Sequence, residues 1–393
     1  MTRTLPCTWS EAMLASDMLA DLATPCLVLD EAKMLRNIAR LRERLSPLGV
    51  ALRPHLKTAK SVEVARRVLS GGNGPATVST LKEAEVFAGA GVTDILYAVG
   101  IAPQKLARVL GLRAAGCDLC VILDTQEQAL AVAEASRASG TAIPALIEID
   151  CDGHRGGLKP GDPDIAELGR ILHQGGAELR GVMTHAGGSY EAVGAAAHAV
   201  LAEEERRAVV RAADILRQAG LPSPVVSVGA TPTAHAVNDL SGVTEVRPGV
   251  YVFFDLVMAG IGVCGIADIA LSVLTTVIGH QRASGRIIVD AGWMAMSRDR
   301  GTASQSVDQG YGLVCDVAGN VIDDLVMTAA NQEHGLVSLR PGSLAALPDL
   351  PVGSRLRILP NHACATASQF SAYEVLPAEA GGQMVRWPRF GGW

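Results

Sequence analysis

Nine short runs of β-branched and aliphatic residues, most of them followed by a stretch with helical spacing, narrow the possible folds more than any other feature of the chain. They are PCLVLD (25–30), VALRPH (50–55), PATVS (75–79), DILYAV (94–99), DLCVILD (118–124), PALIEID (144–150), LRGVMTHA (179–186), PVVSVGA (224–230) and TEVRPG (244–249). Between the first two, Leu35, Ile38, Leu41 and Leu45 recur at the spacing of one helix face. Runs that are apolar on both faces belong to a sheet covered on both sides, and regular strand–helix alternation builds a parallel one. Nine strands are one more than an eight-stranded barrel needs. Either the first lies outside the barrel while its helix closes the outer ring, or one run is no strand. Beyond residue 265 the rhythm stops. IALSVLTTVIGH, GRIIVDAGW, GYGLVCDVAGNVID, EHGLVSLRPG and SRLRILPNHACAT are strand-like runs separated by Gly, Asn and Pro turns, with no long helix between them. The expectation is an α/β chain: a (β/α)8 TIM-like barrel over 25–265 and a mostly antiparallel β domain over 266–393, with 1–24 packing on the latter.

Composition excludes several functions. Of 393 residues 49% are hydrophobic and 19% charged, enough for a sizeable core and incompatible with global disorder. Thirty-four Lys and Arg against 40 Asp and Glu leave a net charge of −6 with no basic run, so neither nucleic acid nor an anionic membrane is an expected partner. Aromatics at 4% provide no stacking platform for single strands. Eight scattered cysteines do not form the dense framework of a small secreted domain. Cys117 and Cys120 form a C-x-x-C, but in an alternating strand they face opposite sides, which argues against redox work. Residues 1–26 lack the basic start and apolar stretch of a signal peptide, and Asp255 and Asp268 interrupt the most apolar region. A cytoplasmic protein is expected.

Chemistry concentrates where runs end. RPHLKTAK (53–60) ends a strand, and barrel active sites are built at that edge. Lys57 there, beside His55, can form a Schiff base with a carbonyl cofactor if neighbouring cations keep part of it deprotonated; Arg53 and Lys60 are the candidates. EIDCDGHRGG (148–157) offers Arg155, THAGGSY (184–190) offers His185 and Tyr190, and in SVGATPT (227–233) the residues Gly229, Ala230 and Thr231 can cradle a phosphate. Singly each is an ordinary loop. Together they place an amine, a guanidinium, a phenol and a phosphate nest at one barrel mouth, the parts that hold pyridoxal phosphate. In PNHACAT (360–366), His362 and Cys364 are two apart; in a strand they share a face and can bind one ion. Imidazole plus thiolate favours Zn2+ over Mg2+ or Ca2+. The alternative is a buried cysteine beside a polar histidine.

TPCLVLD, RPHLKTAKS, VSTLKEAE, HAGGSY, RPGVYVFFD, VDAGW, QEHG and PNHACATA occur in this order over about 25–375. In that order they resemble the fold-type III, alanine-racemase-like pyridoxal phosphate enzymes of the D-serine dehydratase and D-threonine aldolase group. HACATA looks most like the zinc-dependent eukaryotic-type D-serine dehydratases; aldolases of the group more often carry Asp at the second ligand position. The departure is VGATPT, where related phosphate loops are richer in glycine. The resemblance implies a cofactor, pyridoxal phosphate, joined to Lys57, with Arg155 facing the pyridine nitrogen and Tyr190 contacting the cofactor. It also implies a metal, Zn2+ or Mn2+, on His362 and Cys364, and a homodimer acting on a small D-amino acid. D-serine dehydration to pyruvate and ammonia is the expected reaction, with retro-aldol cleavage or a D-3-hydroxyaspartate lyase as alternatives. A racemase or a non-catalytic cofactor carrier fits the metal motif less well.

Overall fold

The computed structural model describes residues 17–69 and 72–393. The readings made on 1–16, the missing signal peptide and part of the N-terminal packing among them, lie outside the described residues. The chain divides into two compact units, residues 38–251 with 391–393 and residues 1–37 with 252–390.

The first unit carries eight parallel strands. They are β2 (Ala51–Leu52), β3 (Ala76–Val78), β4 (Asp94–Gly100), β5 (Asp118–Leu123), β6 (Pro144–Ile149), β7 (Glu178–Thr184), β8 (Val225–Val228) and β9 (Glu245–Val246). Their order is β2-β9-β8-β7-β6-β5-β4-β3. The remaining seam closes through a parallel bridge between His55 and Thr77, with Leu56 N donating to Thr77 O (2.8 Å) and Thr77 N to Pro54 O (2.9 Å). Strand β2 is short because Pro54 has no N–H to give to a ladder. Its continuation still bonds sideways, from Arg53 N to Val246 O and from His55 N to Pro248 O.

The barrel is not apolar throughout its interior. Leu96, Cys120, Ile122, Leu146 and Met183 form an apolar cluster. Arg53 pairs with Asp94 (2.6 Å) and Glu245 (2.7 Å), and Ser227 Oγ donates to Glu245 (2.7 Å). Cys117 and Cys120 are buried free thiols, each pushed up in pKa by burial, Cys117 to about 11 and Cys120 to about 12. The C-terminal part of the helix Glu31–Leu45 packs in this unit through Ile38, Leu41 and Leu45. Its Arg42 donates to Val68 O and its Arg44 to Val237 O, beside the first and last helices of the barrel. That helix closes the outer ring.

The strand before it, β1 (Cys26–Asp30), belongs to the second unit. It pairs antiparallel with β10 (Leu271–Gln281) and parallel with β16 (Ala372–Leu376). The other strands there are β11 (Arg286–Val289), β12 (Leu313–Cys315), β13 (Val321–Ala330), β14 (Gly335–Leu339), β15 (Arg355–Leu359) and β17 (Val385–Pro388). The order is β11-β14-β13-β12-β15-β10-β1-β16-β17, and β10 pairs again with β11. Six strands thereby close on themselves and three extend the sheet; every pairing except β1 with β16 is antiparallel. The units therefore break at 37/38 and 251/252, whereas the sequence reading drew its boundaries at 24/25 and 265/266. The cause is the pairing of β1 with β10, which draws residues 25–37 out of the barrel unit. Leu19 is buried with Val28, Leu274 and Leu376, and Arg355 donates to Ala20 O and Leu22 O. No described helix is long and apolar enough to cross a membrane.

Glu245 is buried and depends on Arg53 for its charge balance. Arg53→Ala is expected to cost about 3 kcal/mol, the usual penalty for stranding a buried ion. Arg53→Met combined with Glu245→Leu should recover most of it. Urea denaturation checks both variants, and a midpoint unchanged in Arg53→Ala refutes the account.

Candidate functional site

Two clusters contain the residues singled out from the sequence, one in each unit. In the barrel, His55 ends the irregular continuation of β2, and Lys57 lies two residues on, in the turn that follows. His55 Nε2 lies 3.3 Å from Ser79 Oγ, and its Nδ1 is 3.5 Å from Lys57 N. Arg53 and Lys60 are not the expected free cations. Arg53 faces Asp94 and Glu245, and Lys60 lies 3.3 Å from the buried Glu83. The cation that matters is Arg247, at the end of β9, fully buried with Nε on Ser227 Oγ (2.6 Å) and Nη2 donating to Thr184 O. The last strand's RPG is the one signal that could have found it.

Two histidines respond to these charges. Burial first, then Lys57, Arg247 and His185, hold the pKa of His55 well below the ordinary value. Burial, Arg155, Lys57 and Arg247 do the same to His185. Arg155 is exposed on the loop after β6, within electrostatic reach of His185 and Glu148. Glu148 is raised to about 7, by burial first and then by Asp124. Cationic charge gathered at strand ends suits an anionic ligand.

Tyr190 and the 229–231 turn come together as expected: the Tyr190 hydroxyl lies 3.5 Å from Thr231 N. Thr231 is fully buried and its hydroxyl has no partner, although a buried hydroxyl ordinarily has one. Gly229 is required by close approach, since a Cβ would lie 2.9 Å from Arg247 Cβ and 3.0 Å from its carbonyl oxygen. An unsatisfied hydroxyl, a phenol and a backbone N–H converging in this way fit a phosphate ester. Glu205, which the sequence reading missed, sits behind the turn. It is one of three consecutive glutamates in the helix Ala195–Gln218, and nothing local distinguishes it.

The second cluster lies after β15. His362 and Cys364 do not sit in a strand: Ala363–Ala367 is a short helix capped by His362, so the shared-face argument fails. They meet nonetheless, because the cap and first turn bring the thiol within hydrogen-bonding range of the imidazole. Asp299 Oδ2 holds His362 Nδ1 at 2.7 Å, leaving Nε2 for an ion, the carboxylate–histidine arrangement usual behind metal ligands. That bond lowers the Asp299 carboxyl below its ordinary range. The cap is held from both sides. Asp255 accepts from Ala363 N (2.9 Å), and Asn361 Nδ2 donates to Gly310 O (2.7 Å) and Asp299 O (3.2 Å). Among the described residues no group of three or more His, Cys, Asp and Glu could hold a metal ion. One imidazole and one thiol, oriented by a carboxylate, fit an ion that keeps open positions.

Residues 29–257 match the family model described as alanine racemase, N-terminal domain, and residues 270–376 match that of the serine dehydratase domain. D-threo-3-hydroxyaspartate dehydratase of Delftia sp. (strain HT23) is 56% identical over 380 residues, which are 96% of this chain and 100% of that one. D-serine dehydratase of Dictyostelium discoideum is 30% identical, over 92% of this chain and 95% of its own. A solved cysteine-to-alanine variant of a D-threo-3-hydroxyaspartate dehydratase, in the metal-free form, superposes with a TM-score of 0.93. It is 55% identical and covers 96% of this chain and 100% of that chain.

Both histidines have folded pKa values below the unfolded value of about 6.5. Their contribution to stability is complete above that pH and is lost as the pH falls toward the folded values. Histidine proton resonances should show neither ring titrating between pH 7 and 5.5. A midpoint near 6.5 at His55 or His185 contradicts this.

Proposed function

Because the chain belongs to the fold-type III, alanine-racemase-like pyridoxal phosphate family, in its D-serine dehydratase and D-threonine aldolase group, we propose that it is a pyridoxal phosphate- and metal-dependent dehydratase of β-hydroxy-D-amino acids. D-threo-3-hydroxyaspartate stands ahead of D-serine as substrate. The observation that carries this reading is the match to the Delftia enzyme along its whole length, at nearly twice the identity of the D-serine dehydratase. The cationic charge of Lys57, Arg155 and Arg247 supports it, since a 3-hydroxyaspartate brings a second carboxylate.

Pyridoxal phosphate, when bound, supplies an electron sink that acidifies the substrate's α-proton. Lys57 would hold it covalently, Tyr190 and the 229–231 turn would hold its phosphate, and Arg155 would act on its ring. Once substrate displaces it, the Lys57 amine is placed to take the proton from Cα. His55 and His185, kept neutral, leave the positive charge of the mouth to Lys57 and the arginines. His362 and Cys364 would hold the metal ion, which when bound supplies Lewis acidity to a hydroxyl, a poor leaving group unaided. Overall, loss of water and hydrolysis of the resulting imine turn D-threo-3-hydroxyaspartate into oxaloacetate and ammonia, and D-serine into pyruvate and ammonia.

A product assay tests the reading. Oxaloacetate with ammonia from D-threo-3-hydroxyaspartate, at a kcat/KM above that for D-serine, is expected; glycine with glyoxylate marks aldol cleavage and overturns the dehydratase assignment. Lys57→Ala should lower kcat by about 10²–10⁴-fold or more, the range for a positioned acid–base group. EDTA should abolish activity, with recovery on adding zinc or manganese. His362→Ala should lose the elimination while taking up cofactor normally. An enzyme unaffected by EDTA and by His362→Ala has no catalytic metal at this position.

A further inference from the structure

The mechanism leaves Glu205 without a role, although it is a carboxylate only 2% exposed in the middle of the helix Ala195–Gln218. Its flanks show what such a position ordinarily holds: Ala202, Ala208 and Val209 are the other buried residues nearby. A carboxylate in such a place is tolerated only when its oxygens are used. Glu205 uses both. Oε1 accepts from Ala186 N (3.0 Å) and from Gly229 N (3.0 Å), and Oε2 accepts from Thr233 Oγ1 (2.8 Å). These three donors lie on two loops. Ala186 precedes the turn Gly187–Tyr190, which delivers the Tyr190 hydroxyl, while Gly229 and Thr233 bracket Thr231. The helix that carries Glu205 is the crossover joining the strands from which these loops emerge. One side chain therefore ties both segments to the same helix, beyond the strand pairing that ends at Ser227 of β8 and beside the weaker links from His185 to the Gly229 backbone and from Thr231 N to Tyr190 Oη.

Resting on the cofactor reading above, we infer that Glu205 is a positioning residue for the cofactor phosphate: it locks the post-β7 and post-β8 loops together so that Tyr190 Oη, Thr231 N and Thr231 Oγ1 converge on one point. It touches no phosphate itself, and as a carboxylate it could not favourably do so. Without it, the amides of Ala186 and Gly229 are left unsatisfied, and the two loops are joined only by the His185–Gly229 and Tyr190–Thr231 contacts. An amide of the same shape keeps the lock. The oxygen of a glutamine accepts from both backbone amides, and the Thr233 hydroxyl turns to accept from its NH2, its own proton going to Ala230 O, already 3.3 Å away.

The test is titration of the stripped full-length protein with pyridoxal phosphate and, separately, with pyridoxal, following the absorbance of the bound form and its Kd. Glu205→Ala should weaken pyridoxal phosphate by about tenfold or more, the scale of an unsatisfied buried donor, while changing pyridoxal by less than about twofold. Glu205→Gln should stay within about threefold of the parent for both. Thr233→Val, which removes one of the three donors and fills the same space, should weaken pyridoxal phosphate selectively by a few-fold and serves if Glu205→Ala does not fold. The inference is overturned if Glu205→Ala, or in its absence Thr233→Val, binds pyridoxal phosphate like the parent. It is equally overturned if both ligands weaken in parallel, or if Glu205→Gln falls as far as Glu205→Ala. A parent protein that takes up no pyridoxal phosphate refutes the proposed function and the inference with it, whereas normal uptake by parent and Glu205→Ala alike refutes the inference alone.

Discussion

The barrel depends on one irregular piece of backbone, residues 53–56. On one side it bonds to Val246 and Pro248 carbonyls, on the other to Thr77, so it is the seam that turns an eight-stranded sheet into a closed ring. Pro54 forbids a regular ladder there. The seam must nonetheless close, because an open parallel edge would leave its amides and carbonyls without partners. His55 and Lys57 are thereby fixed at the end of a strand that is regular for only two residues, Ala51 and Leu52. The residue that makes the strand irregular is the one that ends it where the chemistry begins.

Charge inside the barrel is sorted by depth along the strands. Arg53 is matched by two carboxylates, Asp94 and Glu245, so neither it nor the Glu83-paired Lys60 contributes a free cation. Toward the strand ends Arg247 makes its hydrogen bonds to a hydroxyl and a carbonyl, while the carboxylates of Glu245, Glu205 and Glu148 act on its charge through space. Burial first, and then the neighbouring cations, depress the pKa values of His55 and His185. Neutral rings beside these cations make a setting that suits an anion.

The second unit solves a different problem with similar means. A short helix follows β15 abruptly, and its cap is held from several sides. Asp255 takes the Ala363 amide, Asn361 ties the same stretch to the 299–310 loop, and Asp299 fixes the imidazole through Nδ1. The H-x-C pair itself is local in sequence. The orientation of the imidazole and of the cap is supplied from residues 63 and 108 positions away.

All nine strand runs before residue 250 were legible as short, nearly continuous apolar runs between helical stretches, as was the change to antiparallel pairing after 265, because such patterns are properties of consecutive residues. So was the position of Lys57, since a strand end carrying Pro-His-Leu-Lys is a local pattern. The strand geometry assigned to His362 and Cys364 was wrong because Asn361 and Asp255 stop the strand and start a helix, and those bonds cross long stretches of chain. Arg247, Glu205 and Asp299 gave no distinguishing signal, apart from the RPG around Arg247. Each acts through partners between 19 and 63 residues away, and which residues meet at such separations is decided by strand order and helix crossover. The sequence by itself determined the elements, the chemical types at the strand ends and the net charge. The tertiary structure alone decided which cations are neutralised, which carboxylates are buried as struts and how the imidazole is aimed, because a hydrogen bond is set by distance in space and the fold supplies that distance.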